Sequence, residues 1–153
     1  GLYNLRSFSK LAEAEQVAAV QSGAPSALLM IDVEQLGQIN DRFGHEAGDR
    51  ALRAVAAGIQ RATRAGDLCA RYGGDEFVII LPQTDGDAAR QLGEKFRELI
   101  EGHVFLQEEG INAKIGASIG IATYPEEART KPELIRLADK RMYEDKAERK
   151  SGR

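Results

Sequence analysis

The sequence predicts an α+β fold, a mixed β-sheet flanked by helices. Three observations carry that expectation. Short apolar runs such as "SALLMIDV" (26–33) and "EFVIILP" (76–82) have the length of buried strands rather than of helices. Between them lie longer segments with the apolar repeat of amphipathic helices. These segments succeed one another as α-β-α-α-β-β-α-β-β-α, with no internal repeat, linker or low-complexity stretch.

Each element has its own signal. Residues 4–21 are rich in Ala, Glu and Gln and read as a helix closed by "SGAP" (22–25). The run 26–33 is a strand that ends near Asp32. "GQINDRFGHEAGDR" (37–50) is polar, with three glycines, and leads into a helix whose Leu52, Val55, Ala56 and Ile59 fall at i, i+3, i+4, i+7. "DLCARY" and "EFVIILP" flank Gly73-Gly74, a pair that suits a primed hairpin turn with positive φ. Thr84 and Asp87 match a capping box ahead of a helix marked by Leu92, Phe96 and Leu99. Residues 103–107 and 112–123 read as two more strands. Thr130 and Glu133 cap a last helix with Leu134, Leu137, Ala138 and Met142 on one face, which runs into the charged tail "KAERKSGR".

Composition bounds the function. A chain of 153 residues suits one domain, 1–153, able to bury roughly 70% of its unfolded surface. A net charge of −3 gives no electrostatic footprint for duplex nucleic acid or an anionic membrane surface. No apolar run approaches the ~20 residues of a membrane span, and no signal peptide opens the chain. The single cysteine, Cys69, excludes an internal disulfide and a Cys-based zinc site, and reads as a small core residue. A cytoplasmic domain is the expectation. "GLYNLRSF" begins without Met and reads as the start of a piece of a longer, multidomain protein.

The acids pose the functional question. Asp32 lies at the end of one strand, and Asp75 and Glu76 lie just past the turn before another. If those strands are neighbours, three carboxylates meet at one sheet edge, where they repel one another unless a cation neutralises them. Carboxylate oxygens with open positions suit Mg²⁺, which binds one or two carboxylates plus substrate phosphates. Metal ions so held serve phosphoryl and nucleotidyl transfer. The residues alone leave a solvated hairpin tip equally open. An EF-hand starting at Asp32 fails, because its fifth and twelfth positions are Leu36 and Phe43. A Walker A loop is absent.

"RYGGDEF", preceded by "IDVEQLGQINDRFGHEAGD" and followed by "SIGIA" and "LADKRMYEDK", closely resembles the GGDEF domain of diguanylate cyclases. The resemblance covers nearly the whole chain. It implies a fold related to nucleotide cyclases and polymerase palms, and the joining of two GTP into cyclic di-GMP with release of two pyrophosphates. Asp32, the carbonyl of Val33, Asp75 and Glu76 match the family's metal positions, for Mg²⁺ or alternatively Mn²⁺. Asp75 and Glu76 are also the catalytic acids, with the general base unassigned between them. Gly73 and Gly74 would let backbone approach phosphates. Asn40 and Asp49 match the guanine readers, and Lys146 the residue that meets the triphosphate. His45 shapes the "FGHEAGD" run, and His103 has no partner pattern.

Arg64 and Asp67, separated from Gly73 by five residues, match the family's inhibitory site for the product. Arg can contact guanine O6 and N7, and Asp can accept from its N1–H edge. The match departs from the family pattern in places. Gly37 stands where lysine is usual, Leu36 where phenylalanine is, Glu34 where aspartate is, and Leu5 where arginine is. The tail lacks the usual glycine-arginine pair, with Lys150 as the nearest cation. Two functions follow from this balance. One is a cyclase that works as an antiparallel homodimer with one GTP per subunit. The other is a weak or inactive module that binds GTP or cyclic di-GMP and regulates a neighbouring domain.

Overall fold

The computed structural model describes residues 4–102 and 114–151. Among the described residues, five helices and four strands follow in the order α1 (Leu5–Ser22), β1 (Ser26–Glu34), α2 (Leu36–Phe43), α3 (His45–Ala62), β2 (Leu68–Arg71), β3 (Glu76–Pro82), α4 (Gly86–Gly102), β4 (Gly116–Tyr124) and α5 (Lys131–Ser151). The expected strand 103–107, His103 and the first residues of the strand expected over 112–123 lie outside the described residues.

The sheet order is β2-β3-β1-β4. Every pairing among the described strands is antiparallel, where a mixed sheet was expected. The reason is topological. The β3–α4–β4 crossover makes β4 run parallel to β3, but β1 lies between them, so β4 meets only an antiparallel neighbour. This is the split β-α-β arrangement.

Alternation along β1 builds two cores. Ala27, Leu29, Ile31 and Val33 face one layer with Val55 and Ile59 of α3 and Phe96 and Ile100 of α4. Leu28 and Met30 face the other, with Phe8 of α1 and Leu134, Ala138 and Met142 of α5. All nine residues of β1 are buried, which explains its unbroken apolar run. Each fully buried Leu, Ile or Phe contributes about 1.5–3 kcal/mol.

Local signals were met unevenly. Thr130 Oγ1 accepts from the Glu133 amide at 3.3 Å and bonds its carboxylate at 2.9 Å, the expected capping box. At α4 the cap is Asp85, which accepts from the Ala88 amide at 2.9 Å. Thr84, expected to cap, turns to Pro82 O and Arg64 instead, and Asp87 pairs with Arg90. The turn at 73–74 also differs from expectation. Neither glycine has positive φ. The loop is wider than a two-residue turn and closes through Tyr72 N–H to Glu76 O at 2.8 Å.

β4 receives α5 at unusually short range. A Cβ on Gly120 would lie 1.9 Å from Ala138 O and 2.3 Å from Met142 N. The absent side chain is what lets helix backbone settle onto strand backbone. That contact fixes where the far end of α5 arrives.

Candidate functional site

Two strand ends bring the acids together. Asp32 of β1 lies directly opposite Glu76 of β3, and Val33 N–H donates to Asp75 O at 2.8 Å. Opposed residues of an antiparallel pair share a face with Cβ atoms ~5 Å apart. β1 runs on to Glu34, one residue past the expected run, and Asp32 is only 8% exposed. The turn itself is open, with Asp75 exposed and Glu76 half-buried, so the cluster joins one buried carboxylate to two nearer the solvent.

The electrostatics show the strain of that clustering. Burial first, then the charge of Asp32, pushes the Asp75 carboxyl above its ordinary value. Glu76 is raised by burial, by Asp32 and also by Asp139 of α5. Two cations oppose this: Arg71 acts on Asp75, and Lys146 acts on both acids, its Nζ 2.9 Å from Asp32 Oδ2 in a hydrogen bond that raises the lysine's own pKa. Gly120 makes the contact available, because it sets how closely α5 passes the sheet.

An open cleft of about 780 Å³ adjoins the acids, lined by Asp32, Val33, Gly37, Asp75 and Lys146 together with the first residues of α2. Gln35, the N-cap of α2, has φ 73° and offers no side-chain bond to the helix start. The first amides of α2 are therefore left to a ligand or solvent, and such amides favour anions. Nothing lies within 4 Å of a Cβ on Gly37, so this wall is open where a cation would be expected. Gly73 and Gly74 stand at the turn, where Arg71 clamps their carbonyls at 3.3 and 3.2 Å from Nε and Gly74 O again at 2.7 Å from Nη2.

Among the described residues, no group of three or more His, Cys, Asp or Glu forms a ready cage for a metal. The donor set fits Mg²⁺ of the kind held by one or two carboxylates plus phosphate oxygens. Asp32, Asp75, Glu76 and the Val33 carbonyl are the residues that would hold it.

The guanine candidates lie on α2, which walls the cleft, and on the neighbouring α3. Asn40 lies in the middle of α2 and Asp49 in the second turn of α3; Asp49, with Leu52, Arg53, Arg71 and Phe77, lines a second cavity of about 500 Å³. His45 is the first residue of α3, after Gly44 at φ 94°. Arg64 and Asp67 are farther off and bonded to each other: Nε to Oδ2 at 3.3 Å and Nη2 to Oδ1 at 3.1 Å. The Asp67 side chain is 2% exposed and the Arg64 side chain 54%, so in this conformation only the arginine faces out.

The structure brings together the acids and Lys146 that the sequence singled out, and sets Asn40 and Asp49 on adjoining helices. Sequence reasoning missed Arg71, Asp139 and the amide row of α2. The signal for the last was available, since "VEQLG" puts no Ser, Thr, Asp or Asn at the cap. No helix among the described residues is long and apolar enough to cross a membrane.

Comparison with known proteins follows the same outline. The family model "Diguanylate cyclase, GGDEF domain" matches residues 1–152. Diguanylate cyclase A of Treponema denticola is 37% identical over 120 residues, 78% of this chain and 32% of its own length. The response regulator PleD of Caulobacter vibrioides is 36% identical over 150 residues, 96% of this chain and 33% of its own. The chain thus spans about a third of these curated relatives. The crystal structure of the GGDEF domain of YfiN (TpbB) from Pseudomonas aeruginosa superposes with a TM-score of 0.90 at 34% identity, covering 97% of this chain and 92% of that one.

Proposed function

The chain belongs to the diguanylate cyclase GGDEF-domain family, and from that premise we propose that it condenses two GTP into cyclic di-GMP. The observation that carries this reading is the paired edge: Asp32 opposite Glu76, beside Asp75, opening onto a cleft with Lys146 and the free amides of α2.

In this reading the triphosphate lies along the cleft. The α2 amides and Lys146 bind its oxygens, and the Asp32, Asp75 and Glu76 carboxylates with the Val33 carbonyl hold Mg²⁺, or Mn²⁺ in its place. A divalent ion held by these residues would supply positive charge for the α-phosphate and the ribose 3′-oxygen. One carboxylate of the Asp75–Glu76 pair takes up the proton of the 3′-hydroxyl. The 3′-oxygen then bonds to the α-phosphorus of the second GTP as the bond to pyrophosphate breaks. Two such steps close the ring and release two pyrophosphates.

Asn40 and Asp49 read guanine. A carboxylate accepts from both N1–H and the 2-amino group, a donor pair that adenine lacks. Arg64, exposed and braced by Asp67, offers a guanidinium to the guanine of the product for feedback.

One cleft holds one GTP, which is half of the reactants, so the reaction requires two copies facing each other antiparallel. The test is a dilution series of the purified domain with saturating GTP and Mg²⁺. The rate of cyclic di-GMP formation per subunit falls on dilution if two copies share the chemistry. A rate per subunit that stays constant across a wide range contradicts the dimeric mechanism.

A second reading rests on Gly37. With no cation on that wall, the domain could hold nucleotide without turning it over and pass the signal to a neighbouring domain. Tight GTP or cyclic di-GMP binding with no product would favour it.

A further inference from the structure

Gly48 stands in the first full turn of α3, where alanine would favour the helix by about 1 kcal/mol. It is buried, and its φ is not in the left-handed region, so no backbone requirement explains a glycine. What occupies the space of the missing side chain is specific. A Cβ there would lie 1.7 Å from Asn40 Oδ1, 2.7 Å from Asn40 Cγ and 3.3 Å from Asn40 Nδ2. The three nearest atoms all belong to one carboxamide. Asn40 Oδ1 is itself buried and has no hydrogen-bond partner. The carboxamide is therefore seated by shape, in the hollow Gly48 leaves, and not by a bond of its own.

We propose that Gly48 is a positioning residue for base recognition: its missing side chain seats the Asn40 carboxamide in the orientation that meets the guanine edge. The inference rests on the reading of Asn40 as a guanine contact. The atoms that a methyl group at position 48 would meet first are those of Asn40, whose side chain can swing about two torsions. The expected consequence of Gly48→Ala is thus a displaced carboxamide in a folded domain. Selectivity for the base suffers, while the phosphate half of the site, at the acid edge, is untouched.

The experiment is a double-variant cycle on the full chain, read by calorimetric titration with α,β-methylene GTP, which cannot react, and with inorganic tripolyphosphate as a probe without a base. Asn40→Ala alone tests the guanine reading. It should weaken the GTP analogue about tenfold, as loss of a polar contact does. Gly48→Ala should weaken the analogue by a similar factor, leave tripolyphosphate affinity as in the wild type, and cost nothing further once Asn40 is already alanine. Melting curves accompany each variant; a Gly48→Ala domain that melts at or above the wild type meets the expectation.

The outcomes separate. If Asn40→Ala binds the analogue as the wild type does, the guanine reading of Asn40 falls and the inference falls with it. If Asn40→Ala is weakened but Gly48→Ala is not, the reading stands and the role of Gly48 is overturned. If the Gly48→Ala penalty persists undiminished in the Asn40→Ala background, or appears equally with tripolyphosphate, Gly48 acts through something other than Asn40 and the inference is again overturned.

Discussion

Asp75 and Glu76 work against the fold they belong to. Both carboxyls are raised by burial and by Asp32. A carboxyl with a raised folded pKa contributes stability while protonated, and that contribution is lost as pH rises through the folded value. At neutral pH the ionised pair is therefore a liability in the metal-free protein. Asp75→Asn should raise the melting temperature of the metal-free domain by a few degrees at most and abolish the further rise that Mg²⁺ with the GTP analogue gives the wild type. Affinity for the metal should also fail on acidification in a range above that of ordinary carboxylates. Gly37 offers a gain. With open space around its Cβ, Gly37→Lys should be accommodated and should tighten tripolyphosphate binding several-fold by calorimetric titration, since charge-assisted contacts are the stronger kind. At this scale the sequence was most informative where residue type alone sets the chemistry, as for Asp32, Asp75 and Lys146. It was least informative where a role depends on an opposing atom. Gly48, for one, has meaning only through Asn40 on another helix.

The helices were legible because apolar spacing survives in one dimension: Leu52, Phe96 and Met142 are buried as expected, though α4 buries Ala89, Gly93 and Ile100 beside Phe96 and leaves Leu92 and Leu99 at the margin. Ends and turns were less so. Asp85 rather than Thr84 caps α4, because Thr84 is held by Arg64 and Pro82 from elsewhere in the fold. The Gly73–Gly74 turn is shaped by the Arg71 guanidinium gripping its carbonyls, so the positive φ that the dipeptide suggested is not needed. The contact of β4 with α5 makes a sharper case. At Gly120 an added methyl meets backbone atoms that cannot swing aside. Gly120→Ala should push α5 off the strand, costing about 1–3 kcal/mol as overpacking does, and carry Lys146 away from Asp32. A lowered melting temperature together with weakened tripolyphosphate binding is the expected pair of results; a lowered melting temperature alone would mean that α5 shifts without disturbing the cleft.

At the scale of the molecule, the order β2-β3-β1-β4 does the assembling. It places β1 between β3 and β4, so that Asp32 meets Glu76 on one side while α5, packed on β4, delivers Lys146. The sheet could be expected from the alternation of elements, but its pairings could not, since a strand's apolar run does not name its neighbour. The whole then reads as a half-site: an acid edge and phosphate cleft near α5, and base-reading residues where α2 meets α3. The most direct test of that account is to incubate the purified domain at high concentration with GTP and Mg²⁺ and separate the nucleotides by chromatography, with Asp75→Ala alongside. Cyclic di-GMP from the wild type and none from the variant is the predicted result. Product formed equally by both would contradict the assignment of the acid edge as the catalytic site, and no product from either would contradict the cyclase reading itself.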